Sequence, residues 1–144
     1  MSNLTRIALV ASIIGFIDSA YLTFVKFTDT PIYCTPGLGD CASVQNSPYS
    51  ELWGIPLALL GTLTYLALIV LYLIGQKIRI LKSIHFHLIF GLGLFGFLFS
   101  LYLTYLEFFI IRAVCQWCIL SALCMTAIFI TTIIQLKRQS FQSI

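Results

Sequence analysis

The sequence predicts an all-α integral membrane protein, a four-transmembrane-helix bundle with an extracytoplasmic cysteine loop between helices 1 and 2. Three observations predict it. Sixty per cent of the 144 residues are hydrophobic and 9% are charged, with a mean hydropathy of +1.01. A soluble domain of this size has too much surface for its volume to hide that much apolar area, so lipid must cover it. The apolar residues also fall into four blocks, each near the roughly 20 residues a helix needs to cross about 30 Å of hydrocarbon.

Each block is expected to be helical, because hydrocarbon offers an open backbone no hydrogen-bond partner. The first spans about residues 4–27, interrupted only by Arg6, Asp18 and Lys26. It runs too long for a signal peptide and lacks a clear small-residue cleavage site before Cys34. The second, 54–75, carries no charge. The third runs from about 88 to 111, with Glu107 near its far end. The fourth covers about 114–135, before Lys137 and Arg138. Together these make one transmembrane domain over 1–144, with an outer loop at 28–53.

Charge sets the orientation. With four spans, Arg6, the 76–87 connection (Lys77, Arg79, Lys82) and Lys137/Arg138 fall on one side, leaving only Lys26 and Arg112 opposite. Basic flanks mark the cytoplasmic face, so both termini are expected there. Cys34, Cys41, Cys115 and Cys118 then lie outside, where disulfides form and persist. The net charge of +3 comes from these segment ends, a pattern of membrane orientation and not of nucleic-acid binding. Two His, five acids and no phosphate-binding glycine motif leave hydrolytic and phosphoryl-transfer chemistry without its usual parts.

The chain repeats itself. Residues 15–27 read GFIDSAYLTFVKF, and residues 96–108 read GFLFSLYLTYLEF. The same offset carries Cys34 onto Cys115, so two helices deliver a cysteine to the same membrane face. Within each copy Gly15/Ser19/Thr23 and Gly96/Ser100/Thr104 recur at every fourth position. Such stripes of small residues let helices approach closely in lipid, and tight bundle packing is the expected role.

The cysteines hold the reactivity. Cys115-Gln-Trp-Cys118 stands at the start of the fourth helix, where residues three apart share a face about 5–6 Å apart at Cβ. A helix N-terminus favours the thiolate. Cys118 lies one turn deeper, within reach of a lipid-soluble acceptor, and Trp117 suits the interface. Around Cys34, the prolines and glycines Pro31, Pro36, Gly37 and Gly39 predict an irregular, moving loop. A moving cysteine pair suits thiol–disulfide exchange, which needs a thiolate to meet a disulfide sulfur directly. Two structural disulfides are the ordinary alternative, but one closing only residues 115 to 118 would stabilise little. A four-thiolate zinc site fits the spacing poorly, and haem attachment fails because residue 119 is Ile. Cys124 reads as a small buried hydrophobe.

Taken together, YLTFVKF before Cys34, the C-x6-C loop, Ser47 six residues after Cys41, GIPLALLG, YLTYLEF and CQWC cover essentially the whole chain. They resemble the vitamin K epoxide reductase homologues, in their bacterial disulfide-forming branch. The resemblance implies a multi-pass protein of the bacterial inner membrane that acts as a quinone-dependent thiol oxidoreductase. A separate extracytoplasmic thioredoxin-like (DsbA-like) protein would pass electrons to Cys41 and Cys34. These would exchange with Cys115, and Cys118 would deliver the electrons to a membrane quinone, menaquinone or ubiquinone. Ser47 looks like the loop serine the family associates with the quinone pocket. No metal is implied.

Departures narrow this further. Nothing remains after Lys137 to form the thioredoxin-like domain fused to some bacterial members, so the partner is expected to be separate. Vertebrate members carry Tyr where this chain has Ala122, which favours quinone over epoxide reduction. In the DsbB family, also of four spans, the CxxC comes in the first outer loop instead. An epoxide reductase proper and a non-enzymatic tetraspan protein with stapled outer loops are the competing readings. Asp18 is a charge inside the membrane that could reach water or Arg112. His85 and His87 are expected in a solvated basic loop, and Tyr21, Tyr49 and Trp53 as interface anchors.

Overall fold

The computed structural model describes residues 3–31, 34, 41–75 and 77–142, apart from the side chains at 41, 45 and 81–83. Four long helices carry the fold: α1 Asn3–Thr28, α3 Leu57–Ile74, α4 Arg79–Tyr105 and α5 Gln116–Gln142. Between α1 and α3 lie a short helix α2 Cys41–Gln45, a 3₁₀ turn Pro48–Ser50, and a two-residue hairpin of β1 Glu51–Leu52 with β2 Ile55–Pro56. Two further turns of π-helix, Leu106–Ile111, extend α4. Four segments are long and apolar enough to cross a membrane: Asn3–Thr28, Leu57–Ile74, Ile84–Ile111 and Gln116–Gln142. This is an all-α membrane bundle.

α1 packs along both α3 and α5, and α4 packs along α5. The buried core joins Ala8 and Ala11 of α1, Tyr65, Leu68 and Tyr72 of α3, Ile89 of α4, and Cys124, Met125 and Ile128 of α5. Cys124 is thus the small core residue the sequence predicts. The outward faces are as apolar as the core: Ile17, Phe24, Leu98 and Leu123 are all exposed, as expected where hydrocarbon is the solvent. Polar groups inside are tied across helices. Gln135 donates to the Thr5 hydroxyl at 2.8 Å, and the Tyr65 hydroxyl donates to the Ser121 carbonyl at 2.7 Å.

Several expected boundaries move, each for a physical reason. The second helix begins at Leu57, not residue 54. Trp53 and Gly54 both have positive φ, 53° and 81°, the signature of a tight two-residue hairpin loop. Pro56 then holds Ile55 extended. The fourth helix continues to Gln142, seven residues beyond the expected end. The third begins at Arg79, which corrects the expectation for His85. That residue is 2% exposed, and its Nε2 pairs with the Leu71 carbonyl at 2.8 Å. The ring occupies the space that a side chain at Gly75 would need, so a turn glycine lets the histidine into the bundle. His87, by contrast, is exposed.

The two small-residue stripes part ways. Gly15 and Ser19 are buried against α3, and Thr23 meets Thr62 at 3.3 Å, so the first stripe is a packing seam. In the second, Gly96 packs against Met125 of α5. Ser100 and Thr104 line a cavity whose wall also takes in Gly96 and, from the first stripe, Ser19.

Candidate active site

The site forms where the π-helical extension of α4 turns into α5. Arg112 takes a left-handed conformation, φ 56° and ψ 30°, which ends the π-helix. The chain then reverses through Ala113 and Val114 into Cys115. The Cys115 carbonyl accepts the Ile119 N–H at 3.1 Å, so Cys115 stands at the N-cap of α5, with Cys118 one turn inside, as its spacing predicts. Cys115 is fully buried. The Cys118 thiol donates to the Cys115 sulfur, and the N–H groups of Cys118 and Trp117 also point at that sulfur. These contacts hold the Cys115 thiol below its ordinary range, against burial and the nearby Glu107 charge. The pair is thus arranged to favour the thiolate on Cys115, with Cys118 as the donor to it.

The loop between α1 and α3 closes over this pair. Val44 of α2 and Cys115 form a small buried cluster, with Cys34, Ile111, Trp117 and Cys118 packed around it. Cys34 is disulfide-bonded, while Cys115, Cys118 and Cys124 are outside any disulfide among the described residues. Cys41 opens α2, but its side chain lies outside the described ones, as do the predicted irregular residues Pro36, Gly37 and Gly39. Trp117 stacks at a tilt on Tyr21 of α1, with ring centroids 5.1 Å apart. Both aromatics therefore brace the start of α5, beyond any interfacial role.

A chain of polar contacts fixes the loop to the bundle. Lys26 at the end of α1 pairs with Glu51 at 3.4 Å and donates to the Ser50 hydroxyl at 3.1 Å. Ser50 donates to the Ser47 carbonyl at 2.9 Å, and Ser47 donates to the Val44 carbonyl at 2.8 Å. Ser47 and Tyr49 thereby roof a mainly apolar cavity of about 330 Å³. Its walls include Phe99 and Leu103 of α4 and Ala122 of α5, and Cys118 reaches it. The volume falls in the range of small-molecule sites. An apolar slot with a few hydroxyls and one thiol suits a flat, lipid-soluble ring carrying polar oxygens.

Two intramembrane acids behave differently from the expectation. Asp18 is 3% exposed, and neither of its oxygens has a hydrogen-bond partner, Arg112 included, among the described residues. It neighbours Tyr65 and Cys124 but does not line the cavity. Glu107, which sequence reasoning left aside, is 4% exposed. Its carboxylate contacts the Cys118 thiol and the Cys115 backbone N–H, and it lines the cavity. The available signal was its charge inside an apolar span, a default mark of function.

Paired thiols at a helix start, wedged between a cysteine-bearing loop and an apolar cavity among the helices, define a class of four-helix membrane protein built around cysteine redox chemistry. The comparisons specify it. The family model for the vitamin K epoxide reductase family matches residues 6–133, and the chain belongs to that family. It is also similar to the thiol-disulfide oxidoreductase LTO1 of Arabidopsis thaliana, with 30% identity over 133 residues. That match covers 89% of this chain and 35% of the relative, so the chain spans about a third of the relative's length.

Proposed function

We propose that the protein is a thiol–disulfide oxidoreductase that passes electrons from an extracytoplasmic thioredoxin-like (DsbA-like) dithiol to a membrane quinone. Cys41 receives the partner, Cys34 exchanges with Cys115, and Cys118 passes the electrons to quinone in the cavity. The transmembrane domain acts as a unit in a bacterial inner membrane, with both termini cytoplasmic and the four cysteines outside. The basic flanks on one side support that orientation.

One observation carries the reading. Cys34 and Cys118 both pack on the cluster around Cys115, and Cys118 is the one described cysteine that also lines the cavity. Sulfur thus runs from the outer loop to an apolar slot. The Cys34 disulfide packed beside the Cys115 and Cys118 thiols is the pairing that such an exchange needs.

Quinone reduction by the purified protein, with dithiothreitol or a reduced thioredoxin-like protein as donor, tests this directly. Cys118→Ala is expected to abolish turnover, and full turnover by that variant would end the proposal. A Cys34→Ser variant is expected to hold the partner as a mixed disulfide identifiable by mass spectrometry. Supplying a quinone epoxide in the same assay separates the epoxide-reductase alternative, which Ala122 in the cavity wall disfavours. Cysteines that stay oxidised in mild reductant and never respond to quinone would favour the stapled tetraspan instead.

A further inference from the structure

A thiol pair that reduces a quinone must also hand over protons. Oxidising Cys115 and Cys118 breaks two S–H bonds and forms one S–S bond. The quinone gains two electrons and two protons, forming two O–H bonds. The described thiols sit in a buried, mainly apolar site where separating charge is costly. A neighbouring group that accepts the Cys118 proton as that sulfur gives up electrons would keep the local charge constant.

Glu107 meets the geometric requirement. It is buried, it contacts the Cys118 thiol, and it lines the same cavity as Cys118. Its Oε2 is buried with no hydrogen-bond partner among the described residues, an arrangement that costs stability unless something else uses that oxygen. The placement depends on local backbone. In the π-helical turns Leu106 and Glu107 face inward while Phe108, Phe109 and Ile110 are exposed. π-Helical turns of this kind recur at functional sites. The contact with the Cys115 N–H then anchors the carboxylate across the turn into α5.

We propose that Glu107 is a catalytic acid–base residue that takes the proton of the Cys118 thiol and delivers it to an oxygen of the quinone. The second proton, lost from Cys115 to water when its thiolate forms, is matched by one that reaches the other quinone oxygen from water. Glu107 ends each cycle as it began. The inference rests on the quinone-reductase reading above and adds the route of the proton.

The test uses the full chain in lipid nanodiscs, dithiothreitol as reductant, and a short-chain benzoquinone or naphthoquinone as acceptor. Glu107→Gln is expected to slow quinone reduction by roughly 10²-fold, the usual worth of a positioned acid–base group. It should also flatten the pH dependence, and Glu107→Asp should restore part of the rate. A wild-type rate and pH profile in Glu107→Gln would overturn the proposal while leaving the quinone reading intact. Equal losses in the Gln and Asp variants with an unchanged pH profile would assign a packing role and overturn it too. A wild-type chain that reduces no quinone would overturn the underlying reading and this inference with it.

A second measurement holds even if the substitutions prevent folding. Glu51 and Glu107 are the two glutamates of the chain. Isotope-labelled glutamate in a Glu51→Gln background therefore reports on Glu107 alone by infrared difference spectroscopy. In time-resolved spectra its protonated carboxyl band should rise and then decay as quinone oxidises the reduced protein. A band that never changes would refute the role.

Discussion

The ring of Tyr65 lies so close to Gly15 that a β-carbon there would fall within it. This contact presses α1 onto α3 while the same tyrosine reaches α5, its hydroxyl donating to the Ser121 carbonyl at 2.7 Å. One residue therefore joins three of the four helices. Tyr65 is 1% exposed, so its ring cannot swing away. Gly15→Ala is expected to cost about 1–3 kcal/mol, the usual penalty for overpacking, seen as a lower unfolding temperature in detergent. Combining it with Tyr65→Leu should cost less than the sum, because the second change removes the obstacle. Strict additivity would show that the contact does not couple the helices.

The Cys115 thiol should titrate below the ordinary value of about 8.5, because the Cys118 thiol and two backbone N–H groups point at its sulfur. A lowered value means more thiolate at neutral pH. Alkylation of Cys115 by iodoacetamide should therefore reach half its plateau rate on the acid side of that value. Removing the principal donor with Cys118→Ala should move the midpoint upward. A midpoint that stays put would show that Cys118 is not the cause.

Cys34 and Cys115 pack on one cluster, so exchange between them needs little chain movement. In Cys118→Ala the resolving thiol is gone, and a Cys34–Cys115 disulfide should accumulate. Peptide mapping without reductant should find residues 34 and 115 cross-linked, and finding only other pairings would break the relay at this step.

Ser47 roofs the cavity, but its proton is committed to the Val44 carbonyl at 2.8 Å. A hydroxyl so engaged holds the loop more than it donates to a ligand. Ser47→Ala should therefore raise the KM for quinone by about fivefold, the equivalent of one hydrogen bond near 1 kcal/mol, with kcat little changed. A collapse of kcat would instead make Ser47 part of the chemistry.

Much of this site can be read from sequence. CQWC at a helix start, a C-x6-C loop and the shared motif before Cys34 and Cys115 are local patterns, and spacing alone places the second pair on one helix face. Other features depend on contacts between distant residues. His85 reads as a solvated loop residue until Gly75, ten positions earlier, opens a place for its ring. Glu107 reads as a charge near a span's end until the π-helical turns face it inward. The twin stripes of Gly, Ser and Thr are nearly identical as text, and nothing in either tells a packing seam from a cavity wall.

The order of residues by itself determined four spans and a cysteine following two matching helices, because hydrocarbon thickness and helical spacing act on short stretches of chain. Only the tertiary structure decided that Cys34 meets Cys115, that Cys118 faces a cavity, and that Glu107 touches both. Those relations come from how helices pack and where one turn widens. They join segments eight to eighty residues apart, beyond the reach of any local pattern.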